Sequence, residues 1–331
     1  MPNSKTSEKS IEEIAKNFYL ITLPMPFRLG HVNVIAFVHN KGVTLFDTGL
    51  NLDDAFSRLE ASLETINRSV RDIDHIFITH QHADHCGMAG RIKKTSGAVI
   101  HMSEIGKQII QNHKDEKQVV NRIKKFYVEQ GLTEEAVDPL MVLIRHFRKA
   151  IIPFHVDECL DYHKKYFVGD TSFEAFPTPG HARDHVCFFF QKEGIFLSGD
   201  HVLPEITPNL SPDLFCPGFR PLQSFLDSLT RIQDLPVAKV LPGHGVPFSD
   251  LKKRINEMRE HHKKRKNLTF NSVKKGPKTT FQVSKDIFGA GLPEFDKFLA
   301  LNETYVHLIE LIHEGGIEKS RNGKQILYNA G

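Results

Sequence analysis

The stretch IDHIFITHQHADHCG, residues 73–87, changes character half-way along. Its first half is an apolar, β-branched run of strand length and reads as a buried strand. Its second half sets His80, His82, Asp84 and His85 within six positions at the C-terminal end of that strand. Three imidazoles and a carboxylate gathered so closely, with no cation among them, would repel one another or lack partners. Histidine is the commonest metal ligand, and this chain carries nineteen histidines and no tryptophan.

Three further pieces lie downstream: His181 in PTPGHARDH, Asp200 in FLSGD and His244 in LPGHG. Each follows a predicted strand or sits in a glycine-flanked turn, where glycine lets the backbone bend sharply enough to aim a side chain inward. Upstream, Asp47 stands in LFDTGL. This series resembles the motif series of the metallo-β-lactamase superfamily, over about residues 18 to 248. The resemblance implies an α+β fold, a four-layer αββα sandwich with metals held at one edge between the sheets. It implies that His80, His82 and His181 hold one divalent ion, that Asp84, His85 and His244 hold a second, and that Asp200 bridges both. Asp47 would orient ligands without being one.

All these donors are nitrogen or oxygen, which suits zinc first and also iron or manganese. Two such ions about 3.5 to 4 Å apart share a hydroxide, because coordination lowers the pKa of water towards about 7. The implied reaction is attack of that hydroxide on a carbonyl or phosphoryl centre, with Asp84 and Asp200 as the catalytic carboxylates and no serine or cysteine nucleophile. Cys86 is expected to be a buried small hydrophobe. His185 is expected to support the site without ligating. His201, Glu205 and Asn209, in a loop stiffened by Pro204 and Pro208, could line the pocket, and His146 and His155 read as surface or core residues.

At 331 residues the chain has a prior near two domains at roughly 150 residues each. Lys+Arg 43 against Asp+Glu 40 leaves +3, so the whole-molecule field gives no reason to expect a polyanion as main partner. Cysteines 86, 159, 187 and 216 form no CxxC pair, which argues against a disulfide scaffold and favours a reducing cytoplasm. The first eighteen residues hold no signal-peptide core, and no run of apolar residues is long enough to span a membrane.

The chain divides into a catalytic domain over 1–250, a basic helix and linker over 251–275, and a winged-helix-like unit over 276–331. In the first, VNVIAFVHN and GVTLFDTG pair as a hairpin, 51–66 reads as a helix with acids in its first turn, and FFFQKEGIFLSGD is a second hairpin. Residues 104–150 are a charged helical insertion, expected to sit over the site as a lid whose Phe126, Tyr127, Leu143, Ile144 and Phe147 accept an acyl or aromatic group. In the last unit, Thr279 and Thr280 cap one helix, Tyr305, Leu308, Ile309 and Ile312 mark another, and Asn322-Gly323 turns a small hairpin.

Fold alone does not settle function. Antibiotic-hydrolysing relatives generally lack the bridging aspartate that Asp200 supplies. Flavo-diiron oxygen reductases carry glutamate where His82 stands. Complete ligation resembles the glyoxalase II, lactonase and thioesterase branch, so the expected substrate is a small ester, thioester or lactone. The alternative is an endoribonuclease acting on single-stranded RNA, suggested by the C-terminal unit and by Lys252, Lys253, Arg254, Arg259, Lys263, Lys264, Arg265 and Lys266 on one helix. A one-iron persulfide dioxygenase and a non-enzymatic DNA-binding regulator are remoter alternatives. The sequence leaves the oligomeric state open.

Overall fold

The computed structural model describes residues 10–26, 29–111 and 116–330, with the backbone alone at 116, 143 and 146–149. Two sheets carry the architecture. In the first, β1 (Ile11–Ala15), β2 (Phe18–Pro24), β3 (His31–Val38) and β4 (Val43–Phe46) run antiparallel. Then β5 (Ile73–Phe77), β6 (Val99–Met102) and β7 (Glu158–Cys159) extend it in parallel. The second has β8 (Lys165–Val168), β9 (Thr171–Pro177), β10 (Val186–Phe190) and β11 (Ile195–Gly199) antiparallel, with β12 (Lys239–Pro242) parallel to β11 at its other edge.

Side-chain alternation along the strands builds the layers. In β3, Ile35 and Phe37 enter the core between the sheets, while Val32, Val34 and Ala36 face a second core. In β10, Val186, Phe188 and Phe190 point between the sheets, and Cys187 and Phe189 point to the opposite face. The inter-sheet core is phenylalanine-rich: the Phe46 ring lies 5.1 Å from Phe188 and 5.2 Å from Phe173. Burying each such ring is worth about 1.5–3 kcal/mol.

Outside the first sheet lie α1 (Asp53–Glu64) and α3 (Ala89–Ser96), which supply Ala55, Leu59, Leu63 and Ile92 to its outer core. The α3 helix ends at Gly97, which takes the left-handed region at φ +77°. Outside the second sheet lie α7 (Pro221–Ile232) and α8 (Leu251–Val273), with Leu222, Phe225, Leu229, Ile255 and Met258 against it. Helix, sheet, sheet and helix are thus the four expected layers.

The insertion forms α4 (Glu104–Gln111), α5 (Glu116–Glu129) and α6 (Glu134–Lys149). The C-terminal stretch forms α9 (Thr280–Phe288), α10 (Glu294–His313) and the hairpin of β13 (Glu318–Asn322) and β14 (Gln325–Asn329). These two regions pack on each other. Phe126, Tyr127, Leu140 and Met141 share a core with Phe298 and Leu301 of α10. The Gln130 Oε1 atom accepts from Thr280 Oγ1 at 2.7 Å and Tyr328 OH at 2.9 Å. Phe126 and Tyr127, expected to receive substrate, are therefore spent on this packing, and Ile144 lies partly buried beside them. The side chains of Leu143, His146 and Phe147 lie outside the described residues.

Most cations of α8 have a partner on the chain itself. Lys252 pairs with Asp234, Arg265 with Glu303 and Lys266 with Glu314, at 2.9, 3.0 and 2.6 Å. Arg254 donates to Leu203 O and Arg259 to Gln233 Oε1, and Lys263 lies 3.8 Å from Glu260. Lys253 and Lys264 make no ion pair among the described residues. No helix among those residues is long and apolar enough to cross a membrane.

Candidate metal centre

Three strand ends and one loop bring the candidate ligands to one edge of the sandwich. His80 and His82 follow β5, and α2 (Ala83–Cys86), a single turn, carries Asp84 and His85. His181 lies in the loop after β9, Asp200 directly after β11 and His244 one glycine beyond β12. Three overlapping groups result: His80, His82 and His181; His80, His85 and Asp200; and Asp84, His85 and His244. Within each group the ligand atoms all lie within 4.8 Å of one another. Every residue singled out as a ligand is thus gathered in one place.

The outer ring nitrogens fix which way the lone pairs point. His181 Nδ1 donates to the Asn209 carbonyl and His244 Nδ1 to the His31 carbonyl, both at 2.8 Å. Carbonyls only accept, so the Nε2 atom of each neutral ring turns a bare lone pair inward. His85 Nδ1 donates to Asp47 Oδ2 at 2.7 Å, with the same effect. Thr79 Oγ1 gives its proton to Asp47 Oδ2 at 2.9 Å and so accepts from His80 Nδ1, also at 2.9 Å.

What remains inside cannot satisfy itself. His80 Nε2 and His181 Nε2 lie 2.9 and 3.0 Å from His82 Nδ1, which has at most one proton to share between two lone pairs. His85 Nε2, His244 Nε2 and Asp200 Oδ1 are buried without a hydrogen-bond partner among the described residues. Nitrogen and carboxylate oxygen lone pairs converging on one space suit divalent cations.

Charge separates the two ends of the cluster. Burial, helped by the neighbouring imidazoles, holds His80 well below the ordinary histidine value and His82 at about 3. Burial also lowers His181. Burial opposes protonation of His244 and His85 too, but their carboxylate neighbours outweigh it. Asp200 and Asp84 push His244 up to about 10, and these two with Asp47 hold His85 well above its usual range, so without a cation both rings carry a proton on Nε2 where a bound ion would take the lone pair instead. Asp84, though desolvated, is held at about 2 by His85 and His244.

Close approach explains two glycines. A Cβ on Gly243 would meet Asp200 Oδ1 at 2.4 Å, and one on Gly199, at φ +48°, would meet His185 Nε2 at 2.7 Å. His185 itself accepts from the Asp200 backbone N–H at 3.1 Å and bonds Thr178 Oγ1 at 2.8 Å, so it supports the loop that carries Asp200. Cys86 is buried with its Sγ donating to Gln81 O at 3.3 Å, and burial pushes its thiol well up. Of the three residues expected to line the pocket, His201 is buried against Phe225, Glu205 is exposed, and Asn209 touches a candidate ligand, His181. Sequence reasoning passed over Thr79, the His31 carbonyl and Asp184, a carboxyl that burial raises to about 7. Thr79 adjoins His80, and Asp184 lies three residues after His181, so adjacency was the available signal.

Comparison with known proteins agrees with this geometry. The profile described as Metallo-beta-lactamase superfamily matches residues 27–244. The chain is similar to a "Probable metallo-hydrolase YqjP" of Bacillus subtilis, 27% identical, over 93% of this chain and 96% of the relative. An 80-residue stretch, 24% of the chain and 22% of the relative, is 32% identical to an "Atrochrysone carboxyl ACP thioesterase" of Aspergillus fumigatus. Among solved structures, a metallo-beta-lactamase family protein of Thermus thermophilus superposes with a TM-score of 0.84 at 26% identity, covering 96% of this chain and 100% of the other. A chain whose sheets and profile match coincide in this way, with candidate ligands at its strand ends, belongs to the metallo-beta-lactamase superfamily and is a hydrolase.

Proposed function

We propose that this protein hydrolyses a small ester, thioester or lactone with two divalent metal ions, zinc in the first instance. The observation that carries the proposal is the convergence of His80, His82, Asp84, His85, His181, Asp200 and His244 with their lone pairs turned inward. His80, His82 and His181 would hold one ion and Asp84, His85 and His244 the other, with Asp200 shared. When bound, such a pair supplies a water acidified enough to act as nucleophile near neutral pH and Lewis acidity for the developing oxyanion.

The chain's own residues do the rest. Asp200 is 9% exposed at its side chain and lies 3.4 Å from both His85 Nε2 and His244 Nε2, so its carboxylate faces both rings and is placed to be shared. Asp84 is 25% exposed and lies 3.4 Å from His244 Nε2, which makes its carboxylate the one able to pass a proton between the site and solvent. The thiol of Cys86 is bonded and buried, in keeping with a reaction that needs no protein nucleophile. The thioesterase relative supports a carbonyl substrate, and the carboxylates paired with Lys252, Arg265 and Lys266, which offset the positive charge α8 would offer a phosphate backbone, support a small molecule over RNA.

The test is elemental analysis of the purified protein followed by an ester, thioester, lactone and single-stranded RNA panel. About two ions per chain and turnover of a carbonyl substrate are expected. Metal-dependent RNA cleavage without ester turnover would overturn the reading, as would a single ion with His244 dispensable.

A further inference from the structure

His181 is carried by a loop, and its outer nitrogen is held by another loop, residues 203–220, through the Asn209 carbonyl at 2.8 Å. That second loop has little regular structure of its own. Its shape comes from where it is fastened: Leu203 to α8, Leu214 to α5, Asp213 to Arg183 of the His181 loop and, beside the Asn209 carbonyl itself, Asn209 and Ser211 to α10.

Asn209 Nδ2 donates to the Leu299 carbonyl of α10 at 2.9 Å, which orients the amide and leaves Oδ1 facing Ser211. Ser211 Oγ gives its proton to Asn209 Oδ1 at 3.1 Å and accepts from Asn302 Nδ2 at 3.2 Å. Asn302 Oδ1 in turn accepts from Tyr127 OH of α5 at 3.0 Å. Every donation runs one way, from Tyr127 through Asn302 and Ser211 to Asn209. No hydroxyl can reverse without conflict, because the Leu299 carbonyl accepts only and so fixes the Asn209 amide. Further along, Arg220 pairs with Glu310. The loop is thus pinned to α10 from Leu299 to Glu310, about 16 Å of helix at 1.5 Å per residue.

We infer that α10 is the outer brace of the metal centre, with Asn302, Ser211 and Asn209 as positioning residues that set the direction of His181. The inference rests on the proposed assignment of His80, His82 and His181 to one ion. A ring whose outer partner is fixed is pre-aimed, and loosening such a partner typically lowers metal affinity about 10- to 100-fold. By reciprocity, ion binding at this group strengthens the docking of α10 and the insertion on the catalytic layers.

The experiment is a chelator-competed zinc titration of the full chain in a His244→Ala background, which leaves the three-histidine group intact and disables the other. Ser211→Ala and Asn302→Ala are each expected to weaken zinc about tenfold. Ser211→Thr, which keeps the hydroxyl, restores the affinity. The metal-free melting temperature of Ser211→Ala, a half-buried position, stays near that of its parent. Unchanged zinc affinity in both alanine variants overturns the inference, and so does a loss that Ser211→Thr fails to restore. In the parental chain, absence of any zinc binding would instead remove the reading of the metal centre, and this inference with it.

Discussion

Asp47 Oδ2 lies 2.7 Å from His85 Nδ1, and the same carboxylate accepts the backbone N–H and the hydroxyl of Thr79 at 2.8 and 2.9 Å. To reach them Asp47 adopts φ +62°, a left-handed conformation that costs a non-glycine residue of order 1 kcal/mol. The strain is offset by aiming two neighbouring histidines at once, His85 directly and His80 through Thr79.

Asp47→Ala should therefore strand three buried donors. At about 1–3 kcal/mol for each unsatisfied group, partly relieved by water, the loss should be about 3 kcal/mol in urea denaturation. Metal affinity should fall about 10- to 100-fold in the same titration used for Ser211. Asp47→Asn, which keeps an oxygen acceptor but no charge, should fall between. Wild-type affinity in Asp47→Ala would show that aiming His80 through Thr79 adds nothing to zinc binding.

Asp200→Ala removes the one carboxylate common to both ends of the cluster, lying 3.4 Å from His85 and His244 and 3.6 Å from His181. Its backbone N–H bond to His185 does not depend on the side chain, so the loop should keep its shape. The expected outcome is turnover lowered at least about 100-fold and fewer ions per chain, with an unchanged circular dichroism spectrum. Full turnover with both ions retained would remove Asp200 from the proposed mechanism.

The site was legible because its information is local. His80 to His85 lie within one strand end and one turn, and His181, Asp200 and His244 each sit where a short strand meets a glycine. The fold was legible where alternation was strong, as in β3 and β10. The sequence reading left β1 and β2 unassigned, and α7 too, although Pro221 at its first turn and Leu222, Phe225 and Leu229 carry a helix signal. Tyr305, Leu308, Ile309 and Ile312 mark only the second half of α10, which starts at Glu294 after Pro293. The hardest features were partnerships. Amphipathic α5 announces an apolar face but not what covers it, and Tyr127 meets Asn302 across 175 residues of sequence. Phe126 and Tyr127 read as a surface for an acyl or aromatic group, and Phe298 and Leu301 of α10 cover them.

Acid should act on the interface of α8 and α10 at a definite pair. His262 Nδ1 faces His307 Nε2 at 3.3 Å, His307 Nδ1 donates to Glu303 O at 2.6 Å, and Arg265, His261 and Glu303 surround them. Burial holds His262 at about 3, against 6.5 for an ordinary histidine. Between these values the unfolded chain binds more protons than the folded one, so stability rises with pH across the window and is lost as pH falls below about 6.5 towards 3. The urea midpoint of the wild type should drop between pH 7 and pH 5, and His262→Gln should flatten that drop. Equal slopes in the two proteins would locate the acid sensitivity elsewhere.

The final prediction concerns the stretch from residue 276 to 331, which we treat as a unit packed on the rest of the chain. Leu301 is fully buried with Phe126, Tyr127 and Met141, Val306 joins the core of α7 and α8, and Tyr328 closes over Val273 and Val283. Removing the buried Leu301 side chain should cost about 2–5 kcal/mol, the usual range for Leu→Ala in a core. Because the same helix braces the loop that holds His181, Leu301→Ala should also weaken zinc at the three-histidine group, whereas a core substitution far from α10, such as Leu59→Ala, should cost comparable stability and leave zinc affinity alone. Limited proteolysis should nick the turn between α9 and α10 without releasing a fragment, because both sides stay buried against α5 and α8. A freely released 276–331 fragment, with the remainder melting at the wild-type temperature and binding zinc as before, would show that the tail is an appendage rather than part of the scaffold.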